Sequence, residues 1–438
     1  MILANLITAF SLICFWIFWL RDQKVNKYIF SPVKLFIIAS FIYLILPSII
    51  IPNFFPVGLF WRINMSVIPL NHFVIFVFNF IFLFFFTLLS KLRFYKINFD
   101  FSNNALYLSV LFLILAIFAK VYMINSGLFF VEDDNMVEVV NVPRFIRLFN
   151  NLHLWGFMII TIMYFKTNYN PNISSFNKTK FIFYFYFLFT AIIPFLQGRR
   201  FGVLFPIIIV LSIYFIYNII SKRKIFIYSS IVFSIFLLMT LFRQAQIFSL
   251  SYYNSVDIFS IFKSISHLDN NFLVESFSSR LFNVYINLVR VIEFVESSYY
   301  TPFYNPFYLA FIGLIPSIFW SSKPGLSIGN ALGKELSLIH QNNDLIGINI
   351  GWIGEGYYFA GIIGVIFSSL LFCVSIIFFY KIVNYQSDSG KIVILMYVIF
   401  LISGFQMELA FTFNSFFKGN FILLSLLFFS SRFKSIKI

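Results

Sequence analysis

The sequence predicts an all-α polytopic integral membrane protein with about eleven transmembrane helices, and three observations carry that expectation. Its 438 residues are 61% hydrophobic and only 11% charged, whereas a soluble globular domain runs about 45–50% apolar and about 25% charged. Apolar runs of close to twenty residues recur along the chain, the length that crosses a bilayer core as a helix. Basic residues gather in alternate connections between those runs, as they do in multi-pass membrane proteins.

The spans fall at 2–20, 33–52, 66–90, 105–123, 150–166, 180–197, 203–220, 225–242, 356–380, 391–410 and 414–431. The first lacks a basic leader and a small-residue cleavage site before Arg21, so it reads as a retained helix. The others are cut by charged or turn residues, such as KLRFYK at 91–96, SKRK at 221–224 and YQSDSGK at 385–391. The 68 phenylalanines are read as lipid-facing side chains and imply no aromatic site. Cys14 and Cys373 both lie inside apolar runs, which leaves neither a disulfide framework nor a thiolate metal cluster.

Placing the N-terminus outside and the C-terminus inside puts 18 of the 31 lysines and arginines, with only Asp22, Asp100 and Asp388, in the inside loops. The whole net charge of +15 then lies on one side, as the positive-inside rule requires. Basic residues spread as topological anchors exclude a nucleic-acid partner, which would need a continuous basic stripe. Inside loops are too short for a nucleotide domain. The outside holds one long stretch, 243–355, in which the Pro- and aromatic-rich segment 303–320 reads as re-entrant or interfacial. With no repeat and no Pro- or Ser-rich linker, residues 1–438 read as a single transmembrane domain containing that loop.

Outside arginines break the charge bias and need another reason. Arg199 and Arg200, in QGRRFG at 197–202, stand where a helix begins and its N-terminal dipole already favours an anion. Two guanidiniums there suit phosphate oxygens, or else reach lipid headgroups or acids of the long loop. Arg280 and Arg290 belong to SSRLFNVYINLVRVIEFVE (278–296), whose apolar Leu281, Val284, Leu288, Val291 and Phe294 recur at helical spacing. That pattern predicts a solvated or interfacial amphipathic helix, with Arg290 paired to Glu293 or facing a ligand, and Arg280 freer to serve one.

Three further features bear on chemistry. The stretch 321–340 resembles a phosphate loop but has Ile328 where glycine is required and Glu335 after Lys334, so it reads as a turn. In INIGWIGEGYYFAGIIG (348–364), Gly354 and Gly361 lie seven apart and predict a helix face open to a close neighbour. Glu355 beside that face is either the partner of an outside arginine or a general base. Glu408 admits the same two readings, and His340 is the alternative base. His72 and His153 read as interfacial, no histidine has metal-ligand spacing, and Glu132, Asp133 and Asp134 form an acidic loop able to attract Mg²⁺ or Mn²⁺.

Many spans, a long outward loop, outside arginines at GRR, the segment IPSIFWSSKPG and the late helix opening IGEGYYFAGIIG together resemble the O-antigen polymerases, the Wzy-type oligosaccharide repeat-unit polymerases. The resemblance covers roughly 190–380. Some members carry an arginine followed eleven positions later by glycine, a spacing that no outside arginine here shows. The resemblance implies a glycosyltransferase C-like membrane fold in a bacterial inner membrane and a periplasmic site. It also implies undecaprenyl-diphosphate-linked glycans as donor and acceptor, a chain-length regulator and membrane lipid as partners, and no cofactor.

In that reading Arg199, Arg200 and Arg280, with Arg290 beside them, bind diphosphate, and Glu355 or His340 removes the acceptor proton. Three rivals stay open: an O-antigen ligase, a polyprenyl-phosphate sugar transferase using the acids at 132–134 with a metal, and a lipid-linked oligosaccharide flippase.

Overall fold

The computed structural model describes residues 2–25, 31–54, 64–92, 99–126, 144–169, 176–196, 200–217, 282–297, 301–315, 329–336, 350–382 and 387–432, with isolated positions elsewhere. Among them all regular structure is helical and there is no strand. Six helices are long and apolar enough to cross a membrane, at Ile2–Asp22, Pro32–Asn53, Met65–Leu89, Asn103–Asn125, Gly351–Lys381 and Leu409–Phe429. The chain is a multi-pass membrane protein. Side chains such as Phe181, Phe421 and Tyr107, each more than 70% exposed, point away from the packed interior as lipid-facing residues do.

The described residues divide into two compact units. The first comprises residues 1–98, 278–385 and 396–424, and the second 99–277, 386–395 and 425–438.

In the first unit, α1 (Ile2–Val25) packs on α4 (Ile68–Leu89), and α2 (Pro32–Ser40) runs through a π-helical turn, Phe41–Ile45, into α3 (Leu46–Phe54). Ser31 caps α2 through the Lys34 N–H, and Pro32 sits in its first turn where a missing N–H costs nothing. Phe36, Phe82, Phe372 and Phe405 stack into an aromatic core, with the Phe36 and Phe82 centroids 3.5 Å apart. Within the core, the Ser369 hydroxyl donates to the Phe78 carbonyl at 2.7 Å.

In the second unit, α5 (Asn103–Asn125) packs along α6 (Arg144–Tyr169), which packs on α7 (Phe176–Leu196), and α7 on α8 (Arg200–Ile216). Gly156 makes room for Tyr186, whose hydroxyl donates to the Ser109 carbonyl; a Cβ at 156 would stand 2.8 Å from the phenol ring carbon.

Two expectations change. The segment 278–296 forms α9 (Asn283–Ser297), but its turns from Val284 to Val289 are buried all round, and only its ends, Asn283, Glu296 and Ser297, are exposed. It is a core helix of the first unit, packed on α4 and on Gly351–Ile382, so a solvated or surface-lying amphipathic helix is ruled out for it. His72 and His153, read as interfacial, are buried against neighbouring helices. The His72 ring lies 2.9 Å from the Thr8 hydroxyl and 3.1 Å from the Tyr285 hydroxyl, tying α1, α4 and α9 together.

Candidate functional site

The segment 243–355 supplies two short helices of the first unit, α10 (Pro306–Gly313) and α11 (Gly329–Glu335). Asn305 caps α10 by accepting from the N–H groups of Phe307 and Tyr308, and Pro306 opens it. Segment 303–320 therefore contains a helix of eight residues, too short to span.

The central element is α12 (Gly351–Ile382), which is broken. Ala360 and Gly361 leave helical geometry, and Gly361 takes φ +58° with ψ −140°, a conformation open essentially to glycine alone. In a straight helix residues eight apart are separated by about 12 Å. Here a Cβ on Gly356 would stand 2.6 Å from the Gly364 carbonyl oxygen, and one on Gly364 would overlap the Gly356 carbonyl. The first half, 351–359, thus folds back against the second, 362–382. The expected single face bearing Gly354 and Gly361 does not exist; Gly361 is the hinge, and Gly356 and Gly364 make the close approach. Gly351 opens the half-helix at φ +66°, where a side chain would overlap the Phe405 carbonyl.

The half-helix carries Glu355, which is 1% exposed. One carboxylate oxygen accepts the Leu409 N–H at 3.1 Å, at the start of α14 (Leu409–Arg432). That is the end of a helix where a carboxylate is most stabilised. Its second oxygen, Oε2, is buried with no partner among the described residues. Glu408, in the connection that follows α13 (Asp388–Gln406), accepts the Gly329 N–H at 2.5 Å at the start of α11. Two buried glutamates therefore sit at two helix N-termini, close enough for their charges to interact.

Tyr304 lies within charge-interaction range of both, and two more tyrosines bond neighbouring acids. Tyr357 donates to Glu296 at 2.7 Å, and Tyr358 donates to Glu335 while stacking on Tyr304 at 5.3 Å. The Tyr304 hydroxyl is buried and unpartnered among the described residues. Burial, then the charges of Glu355, Tyr358, Glu408 and Glu335, push it well above the ordinary tyrosine range. Trp352 fixes the half-helix by donating to the Thr412 hydroxyl at 2.9 Å and meeting Phe372 edge-on.

Arg290 lies in α9, half-buried; burial pulls its guanidinium down from its ordinary value and the Glu293 carboxylate pushes it back. Arg200 is the first residue of α8, as its reading at a helix start requires, but its side chain, like Arg199, Arg280, His340 and the acids 132–134, lies outside the described residues. No protein-family model, curated protein or solved structure matches the chain. Any functional reading therefore stands on the residues themselves.

The structure sets Tyr304 within charge-interaction range of Glu355, Glu408, Glu335 and Tyr358, and separately pairs Tyr357 with Glu296. Among the described residues no three His, Cys, Asp or Glu are grouped to hold a metal ion. Of these residues the sequence singles out Glu355 and gives Glu408 little context; Tyr304, Tyr357 and Tyr358 are not among its candidates. The signal available was GEGYYFAG itself, where two tyrosines follow the acid in a run with glycine on both sides.

Proposed function

We propose that this chain is a glycosyltransferase that polymerises undecaprenyl-diphosphate-linked oligosaccharide repeat units at the outer face of a bacterial inner membrane. The observation that carries this reading is Glu355: a carboxylate fixed through one oxygen by a backbone amide, with its other oxygen unpartnered among the described residues, beside a second buried acid and a buried phenol. A base must be held rigidly and yet have an oxygen free for the proton it takes.

In the proposed reaction a hydroxyl of the acceptor sugar attacks the anomeric carbon of the donor glycan. Its proton passes to Glu355 Oε2 as the new carbon–oxygen bond forms. The bond from the anomeric carbon to the phosphate oxygen breaks, and the lipid diphosphate leaves with the electron pair. Arg199, Arg200 and Arg280, with Arg290, are assigned to the growing phosphate charge, where fixed guanidiniums act without reorganisation. His340 is the alternative base, and membrane lipid and a chain-length regulator are the other assigned partners.

The broken helix 351–382 favours a second reading, because transporters build substrate sites from discontinuous helices. A flippase for lipid-linked oligosaccharide is therefore the rival, with an O-antigen ligase the alternative among transferases. Deleting the gene in its host and sizing the surface polysaccharide separates them. Loss of the long ladder with a single-unit band kept, restored by wild type and not by a normally accumulating Arg200→Ala, supports the polymerase. Loss of even the single unit points to ligase or flippase, and an unchanged ladder rejects all three.

A further inference from the structure

At one end of the first unit, the last turns of α1 and α4, the start of α2 and the last turn of α12 enclose an open pocket of about 420 Å³. Its walls are largely apolar, with Phe18, Phe86 and Tyr380 among them, and its rim carries Arg21, Lys91 and Lys381. Asp22 also faces it, but that carboxylate accepts from the Ser31 hydroxyl and lies 3.5 Å from the Lys34 ammonium. Asp22 and Lys34 cancel, so the three rim cations set the sign of the pocket. Lys381 donates to the Ser90 carbonyl at the C-terminal end of α4, which anchors one cation in place. Arg21 and Lys91 are exposed.

Helices α1, α4 and α12 are all apolar enough to cross a membrane. A pocket at the ends of such helices lies at headgroup depth, where basic clefts between helices take anionic lipid. A free anion would leave the aromatic walls unused; a phospholipid places its phosphate among the cations and the first part of its acyl chains along Phe18 and Phe86. We propose that Arg21, Lys91 and Lys381 frame a binding site for the phosphate headgroup of an anionic phospholipid. This site involves none of the residues assigned to glycosyl transfer, so it stands whether or not that activity is correct.

The test is native mass spectrometry of the full chain in detergent, titrated with phosphatidylglycerol, phosphatidylcholine or inorganic phosphate. Wild type should retain phosphatidylglycerol in preference to phosphatidylcholine. The double variant Arg21→Gln/Lys91→Gln should lose about 25-fold in affinity for phosphatidylglycerol, about fivefold per charge removed. Lys178→Gln/Lys180→Gln, two exposed lysines of α7, should keep it. Should the double variant fail to accumulate, Arg21→Gln alone is read against the fivefold expectation. Equal losses in both double variants would mean general charge attraction and would overturn the site, as would no loss in either. Inorganic phosphate that displaces the lipid at matching concentration would assign the cations to a soluble anion and also overturn it.

Discussion

Each unit buries a carboxylate at a helix start, and the two are treated oppositely. Asp388, 1% exposed in the second unit, opens α13 and accepts from Lys166 at 2.6 Å, Lys391 at 3.1 Å and the Phe101 N–H at 3.0 Å. Lys391 also donates to the Tyr217 hydroxyl, and the Asp388 N–H donates to Asp100. Every strong group there has a partner. Glu355 in the first unit is buried as deeply, yet among the described residues it meets one backbone amide, has an oxygen with no partner and faces another acid. A saturated carboxylate is a staple; one left half-bonded costs stability without benefit to the fold, which is the ground for the proposal that Glu355 serves as a base.

The largest effect should therefore come from Glu355→Gln. Glutamine keeps an oxygen for the Leu409 N–H, so the chain should fold, while losing the proposed base should cut the proposed polymer formation about 10²–10⁴-fold. Measured with purified protein and lipid-linked units, a rate within threefold of wild type would remove Glu355 from the mechanism.

Asp388→Asn should do the reverse, leaving activity per folded molecule intact and lowering stability by about 3–5 kcal/mol, because two lysines lose their counter-charge. Lys166 is about a third exposed, so Lys391 carries more of that loss. Burial alone would raise the Asp388 carboxyl, but the Lys166 hydrogen bond, the Phe101 amide and both lysine charges hold it below its ordinary value. Its contribution is thus complete above the ordinary aspartate value of about 3.9 and fades as pH falls through the lowered folded value. Thermal unfolding of wild type should weaken below about pH 4, and the Asn variant should lack that component.

How legible each region was follows from the same physics. Helix edges came close: 2–20 became Ile2–Val25, 105–123 became Asn103–Asn125 and 180–197 became Phe176–Leu196, because bilayer thickness sets run length and charges cut the runs. The segment 225–242 lies almost wholly outside the described residues. The Asp388 staple was hidden because Lys166, Asp100 and Lys391 look like ordinary loop charges until the chain brings 99–101, 166 and 388 together. Its members all come from loops that the charge bias assigns to one side. The break at Gly361 was misread for another reason. A seven-residue glycine spacing is the same whether the helix is straight or hinged, and periodicity carries no φ. For α9, Arg290 and Glu293 suggested a wet face, whereas the helix lies in a protein interior that accepts them.

The hinge supplies the next contrast. Gly364→Ala puts a methyl into the Gly356 carbonyl, backbone against backbone, and should cost about 2–3 kcal/mol. Gly361→Ala meets nothing within 4 Å and pays only for its φ of +58°, so about 1–2 kcal/mol is expected. Melting temperatures in the opposite order would mean that the fold-back is not held by glycine contact.

The smallest loss of stability belongs to Tyr304→Phe, and its absence makes the variant informative. Removing a buried hydroxyl that has no partner among the described residues should leave stability unchanged or raise it by up to about 1–3 kcal/mol, since an unpaired buried donor carries a desolvation cost that no bond offsets. If the phenol serves only to pack on Tyr358, activity should be equally untouched. If it donates to a sugar or phosphate oxygen beside Glu355, turnover should fall about five- to tenfold with no loss of stability, the energy of one hydrogen bond made only with substrate present. A stability loss above about 1.5 kcal/mol would instead mean that the hydroxyl has a structural partner. The first unit would then resemble the saturated Asp388 cluster of the second, and the contrast between the two carboxylates would narrow to Glu355 alone.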